Sequence, residues 1–138
     1  MIGRRHLAWI ALVAAAVAGG LWLGAARGWQ SPSDPTDQLG LEFRFLGCDD
    51  WPEDRPYGTT LQRSGLQPGL MLRVSHPASC GYSVRAPRYK LSDDTLRLSY
   101  DLHAPSGEFA ACVCEYKSEF RFRSDPGARR VVFDHSES

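Results

Sequence analysis

Across the twelve residues from Cys112 to Arg123, side chains of two kinds take turns. Cys112, Cys114, Tyr116, Ser118, Phe120 and Phe122 share one parity, and Glu115, Lys117, Glu119, Arg121 and Arg123 the other. A period of two sends successive side chains to opposite faces of an extended backbone. The stretch is therefore read as a strand with one face in a core and one in water. Three further stretches follow the same rule. Leu41, Phe43 and Phe45 oppose Glu42 and Arg44; Leu70, Leu72 and Val74 oppose Arg73 and Ser75; Leu96, Leu98, Tyr100 and Leu102 oppose Arg97, Ser99 and Asp101.

Proline and glycine punctuate the chain between these stretches, at Pro52, Pro56, Gly58, Pro68, Gly69, Pro77, Pro87, Pro105 and Gly107. Ser92-Asp93-Asp94 reads as a turn between a strand ending near Leu91 and one beginning at Thr95. Asp125-Pro126-Gly127 reads as another, from which Arg130 to Phe133 returns as a final strand. No helical periodicity persists over three turns here. The expectation is an all-β domain, a small antiparallel β-sandwich of about six or seven strands, with a barrel as the alternative.

A different kind of segment precedes it. The run from Leu7 to Ala26 (LAWIALVAAAVAGGLWLGAA) carries no charge and follows Arg4 and Arg5. Twenty helical residues at about 1.5 Å each just cross a hydrocarbon layer of ~30 Å. The preceding arginines orient such a helix with its N-terminus in the cytoplasm and the rest of the chain outside. Trp9 and Trp22 lie near its ends and Trp29 just beyond, where amphipathic rings favour the interface. A cleaved signal peptide is the alternative, since Gly24-Ala25-Ala26 supplies small residues for cleavage after Ala26. The expected organisation is an anchor or signal segment over residues 1–29, a linker over 30–39 (QSPSDPTDQL), and an extracytoplasmic domain over 40–138. The location is then a bacterial inner membrane with the domain in the periplasm or outside the cell. After cleavage near Ala26 the product is secreted or periplasmic.

Charge separates the two parts. Arg4, Arg5 and Arg27 flank the apolar run, whereas all 16 acids follow it, leaving a mildly acidic domain without the basic patch that nucleic acid requires. No nucleic-acid partner is expected. The membrane, through the N-terminal segment, and an envelope protein are the expected partners.

Cys48, Cys80, Cys112 and Cys114 all lie beyond the apolar run, on the side of the membrane where disulfides persist. Cys112 and Cys114, two apart on a strand, place their Cα atoms about 6.5–7 Å apart with parallel Cβ vectors, which disfavours a bond between them. One is expected to pair with Cys80 and the other with Cys48, in either order. The main alternative is a soft-metal site for Cu or Zn at Cys80, Cys112 and Cys114, completed by His76 or His103; a redox-active or exchanging C-x-C, which needs an activated thiolate, is the third reading. His6 and His135 read as solvated. The acidic stretch from Asp49 to Asp54 reads as a solvated loop; its spacing fits no calcium loop, and Trp51 and Tyr57 beside it offer aromatic contacts for a partner. The chain contains no G-x-S-x-G, H-E-x-x-H, glycine-rich phosphate loop or dinucleotide fingerprint. The expectation is a binding or structural module, no enzyme and no cofactor.

Ser79-Cys80-Gly81, a hairpin, the A-C-x-C-x-Y strand from Ala111 to Tyr116, and Pro126-Gly127 leading to Val131-Val132-Phe133 together form a pattern. It is similar to that of uncharacterised bacterial envelope β-sandwich proteins, often lipoproteins, with an S/N-C-G motif followed by such a strand. The resemblance covers less than half of the chain and implies an envelope location and a β fold. It brings no established activity. This chain departs from the pattern in having an apolar segment where those proteins have a lipidated cysteine, and in having Cys48 as an additional cysteine.

Overall fold

The computed structural model describes residues 37–66, 68–105, 110–128 and 130–138. The apolar run from Leu7 to Ala26, with the helix expected there, and most of the linker lie outside these residues. Among the described residues no helix is long and apolar enough to cross a membrane.

Seven strands follow in order: β1 (Leu41–Asp50), β2 (Thr60–Leu66), β3 (Gly69–Ser79), β4 (Ser83–Ser92), β5 (Thr95–His103), β6 (Val113–Phe122) and β7 (Arg130–Glu137). They form two sheets, β1-β6-β3-β2 and β4-β5-β7. The alternation that marks β1, β3, β5 and β6 in the sequence is the alternation of their burial. Leu41 and Phe43, Leu70, Leu72 and Val74, Leu96, Leu98, Tyr100 and Leu102, and Tyr116, Phe120 and Phe122 all enter one core. The inner faces meet through aromatic edges, with Phe43 5.1 Å from Phe120 and 5.8 Å from Tyr100 between ring centroids. Quadrupoles favour such edge-to-face contacts over flat stacking, beyond the gain from burying the rings.

One pairing departs from the antiparallel expectation: β7 runs parallel to β5. The reason lies in β6, whose two edges are already taken by β1 and β3. After Phe122 no hairpin partner position is free, so the Asp125-Pro126-Gly127 turn carries the chain to the other sheet. There β4 already occupies one edge of β5, and β7 takes the other. β7 also extends to Glu137, beyond the apolar run that marks its start. By contrast Ser92 and Thr95 pair directly across the expected β4–β5 turn, where Asp93 takes a φ of 51°. Short polar residues tolerate that region because their side chains bond locally.

The start of β1 is fixed by Asp37. Its carboxylate accepts hydrogen bonds from the amides of Leu39 (3.1 Å), Gly40 (2.9 Å) and Leu41 (2.6 Å) and from the Tyr89 hydroxyl (2.8 Å). The last residues of the segment read as linker thus lie against the domain.

Within β1 the ladder slips once. Phe45 faces Ser118 and Gly47 faces Lys117, leaving Leu46 without a partner. This bulge changes the parity of everything after it: Phe45 and Cys48, three apart, both lie opposite residues of the inner row of β6. Without the extra residue a strand cannot bury Leu41 and Phe43 and also turn Cys48 toward the inner row. Gly47, with φ of 127°, absorbs the distortion.

On the outer face, register is fixed by charge. Glu119 lies opposite Arg44 on one side and Arg73 on the other. Its carboxylate is 1% exposed and accepts from Arg44 at 2.5 Å and Arg73 at 2.5 Å. Burial by itself pushes Glu119 upward; hydrogen bonds from Arg73 and Arg44 overcome this and hold it below the usual carboxylate range.

Two outcomes follow. Deleting Leu46 removes the bulge yet keeps Gly47 and Cys48 in register, so the variant is expected to form both disulfides; two alkylatable thiols in its intact mass would contradict this. Replacing Glu119 with Gln leaves two arginines facing a weaker acceptor and is expected to cost about 1–3 kcal/mol in denaturant unfolding.

Candidate functional site

The cysteines gather where β6 begins. Cys114 is its second residue and Cys112 immediately precedes it, while Cys80 follows β3 and Cys48 lies near the end of β1. The amide of Cys80 donates to the carbonyl of Cys112 at 3.0 Å, adding a rung to the β3–β6 ladder. Cys80 is bonded to Cys112, with Cα atoms 5.6 Å apart, and Cys48 to Cys114, with Cα atoms 5.5 Å apart. The central strand is thereby joined to a neighbour on each side. Either bond alone, closing a segment of 66 or 32 residues, removes loop entropy worth about 4 kcal/mol on the chain-entropy account. Their sum is smaller than twice that, because one loop lies inside the other.

Two features hold Cys80 in place. Gly81 takes a φ of 93°, a conformation that side-chain-bearing residues rarely adopt, and turns the chain from β3 toward β4 in the other sheet. The Tyr116 hydroxyl then clasps this turn, donating to the carbonyl of Ser79 at 3.0 Å and accepting from the amide of Tyr82 at 2.9 Å. The S-C-G and C-x-C-x-Y patterns of the sequence are thus two halves of one structure: the tyrosine of one ties down the turn of the other.

The two disulfides are neighbours. The sulfur atoms of Cys48, Cys80 and Cys114 all lie within 4.8 Å of one another. Cys112 reaches this group through its bond to Cys80. Cys114 is buried, Cys80 half-buried, and Cys48 and Cys112 exposed. No free cysteine remains among the described residues. As thiolates, these sulfurs would provide soft ligands for Cu(I) or Zn(II).

Neither candidate histidine contributes a ring nitrogen to the sulfur group. His76 lies four residues before Cys80, about 13 Å along β3, and is fully buried between the sheets. Its Nε2 is 2.6 Å from the Tyr100 hydroxyl and its Nδ1 3.2 Å from the carbonyl of Pro77. A neutral ring donating from Nδ1 and accepting at Nε2 satisfies both. The ring also stacks on His135 at 4.4 Å. Burial, and then the charge of His135, lower the pKa of His76 to about 4 against a smaller opposing effect of the Pro77 carbonyl. His103 ends β5, where its carbonyl accepts from the Ser83 hydroxyl at 3.1 Å.

The acidic loop after Cys48 is organised by cations. Asp49 pairs with Lys117 at 2.7 Å, and Arg55 lies over the Trp51 ring at 4.2 Å while pairing with Glu115 at 2.6 Å. Trp51 donates to the carbonyl of Arg55 at 2.8 Å and packs on Tyr57, which remains 68% exposed. Between this loop and the outer face of the first sheet lies a cleft of about 220 Å³ with Arg55, Arg73, Glu115 and Lys117 on its walls. Sequence reasoning missed this charged face. The alternating Glu115, Lys117 and Glu119 signal an outward row, but the strands supplying its partners follow only from the register.

The neutral state of His76 makes stability depend on pH. The unfolded chain titrates near 6.5 and the folded chain near 4, so between these values the unfolded state binds more protons. Stability is expected to fall as pH drops from about 6.5 toward 4, by up to about 3 kcal/mol, and this contribution is flat below. A His76→Gln variant is expected to lose that portion of the slope when urea midpoints are compared between about pH 7.5 and 4.5.

No family model matches the chain, and neither the curated proteins nor the solved structures provide a significant match.

Proposed function

We propose that this chain is a membrane-tethered, extracytoplasmic β module of the bacterial envelope, serving as a disulfide-stabilised binding or structural unit. The observation that supports it most is the pair of disulfides holding β6 to both neighbours. Such bonds persist in oxidising compartments and are reduced in the cytosol. The charge-free run from Leu7 to Ala26, the polar stretch after it and the likeness to envelope lipoproteins agree with that location. The tether leaves the domain at the outer side of an inner membrane, or free in the periplasm if the chain is cut near Ala26. Trp51 and Tyr57 beside the charged cleft are the residues best placed to meet an envelope protein partner.

A second reading rests on the closeness of three sulfur atoms, which favours a soft-metal site when the cysteines are reduced. Its ligands would be Cys48, Cys80 and Cys114, without His76 or His103. Binding would require both disulfides to be open and the three ligands to be thiolates, and would release their protons.

Intact mass of the exported protein separates the two readings. Under denaturing conditions, without reductant and after alkylation, the first expects a mass four hydrogens below the reduced chain and no label. Four labels, with one metal ion retained in the native mass spectrum, would replace it with the second. Substituting both Cys80 and Cys112 with Ser is further expected to lower unfolding stability by about 3–4 kcal/mol.

A further inference from the structure

Two disulfides with three sulfur atoms within 4.8 Å of one another have a chemistry that neither has alone. Exchange proceeds by attack of a thiolate on a disulfide sulfur, and it is accelerated when the two are held together in advance. Cys80 and Cys114 belong to different disulfides and their sulfur atoms lie within 4.8 Å of each other, Cys114 on β6 and Cys80 in the turn that follows the adjacent β3. Ala78 faces Cys114 and Cys80 follows it by two residues, so Cys80 and Cys114 are diagonal neighbours, about 7–8 Å apart along the backbone, and the strands must close by about 1 Å to join them. Cys48 is less suited as the target of Cys80. β6 lies between their strands, which places the backbones nearly 10 Å apart, beyond the reach of an undistorted disulfide. Exposure is graded in a matching way, with Cys112 and Cys48 at the surface and Cys114 buried.

We propose that the two disulfides form a single thiol–disulfide exchange centre, entered at Cys112 and relayed through Cys80 to Cys114, whose substrate is a dithiol of a partner protein. This rests on the disulfide-stabilised reading and adds a reaction to it. One thiolate of the partner attacks Sγ of Cys112; the Cys80–Cys112 bond breaks and Cys80 leaves as a thiolate. Sγ of Cys80 then attacks Sγ of Cys114; the Cys48–Cys114 bond breaks and Cys48 leaves as a thiolate, protonated from solvent. The partner's second sulfur attacks the mixed disulfide on its own side, releasing Cys112, which is also protonated. The partner has lost two electrons and two protons and become a disulfide. The chain has gained both, and holds one disulfide, Cys80–Cys114, with Cys48 and Cys112 as exposed thiols.

The relay is read from which thiols appear together. The full chain is treated with a limiting amount of dithiothreitol as the dithiol, quenched with acid, alkylated and mapped by peptide mass spectrometry. The expected two-thiol species carries its labels on Cys48 and Cys112. Labels on the bonded partners, Cys80 with Cys112 or Cys48 with Cys114, would overturn the relay and leave the disulfides intact as a reading. Four labels before any reductant would remove both. A Cys112→Ser variant gives a second measurement, because Cys80 is then free from the start. The single label is expected to move from Cys80 to Cys48 in at least about one chain in ten, as for pairings within 1.4 kcal/mol of each other. A label confined to Cys80, with Cys48–Cys114 unchanged, would overturn the proposal.

Discussion

Everything in this domain is arranged around the double pairing of β6. It is hydrogen-bonded along one edge to β1 and along the other to β3. Each of its faces is committed as well, with Tyr116, Phe120 and Phe122 in the core and Glu115, Lys117 and Glu119 outside. A strand so placed cannot end in a hairpin, since no edge is open to receive the next strand. That constraint sends β7 to the other sheet and makes its pairing with β5 parallel. It also sets what the cysteines do. Cys114 on this strand and Cys112 just before it face one neighbour each, so they join three strands together at one end of the sheet.

How much of this was legible in the sequence follows from where each strand sits. Strands buried on one face announce themselves, as the alternations ending at Leu102 and Phe122 do. β2 does not, because it pairs only with β3 at the sheet's edge and its side chains are largely exposed; Leu61 is 36% exposed. The parity of Cys48 was also hidden. Counting by twos from Leu41 puts it on the solvent side, and only the unpaired Leu46 reverses that. Excluding a Cys112–Cys114 bond needed no more than strand geometry, whereas choosing between the two remaining connectivities needed the register. Cys80 lies one rung beyond Ser79, which faces Val113, and so meets Cys112; Cys48 is left for Cys114.

The same logic separates the histidines from the sulfurs. His76 shares the inner row of β3 with Cys80, which makes the two look like neighbours in the sequence. A strand advances about 3.3 Å per residue, however, so four residues carry His76 away from the sulfur group and toward the middle of the core. There its ring is fixed by Tyr100 and Pro77 and held neutral by burial and by His135. It is a polar contact between the sheets, and among the described residues the sulfur group includes no histidine.

Register in this sheet is held twice, by means that differ in reversibility. In the middle, Glu119 accepts from an arginine on each flanking strand; a slip of one residue would bring a core residue opposite its carboxylate and leave a buried charge unpaired. At the end, two covalent bonds fix the same three strands. Because Glu119, the aromatic contacts and the Tyr116 clasp do not depend on sulfur, opening a disulfide need not release the register that brings Cys80 beside Cys114. A scaffold of that kind keeps sulfurs within reach while their bonds change. The closeness of the two disulfides is thus a property of the sheet as well as of the bonds, and that is what allows the cluster to be considered a reactive centre rather than two separate staples.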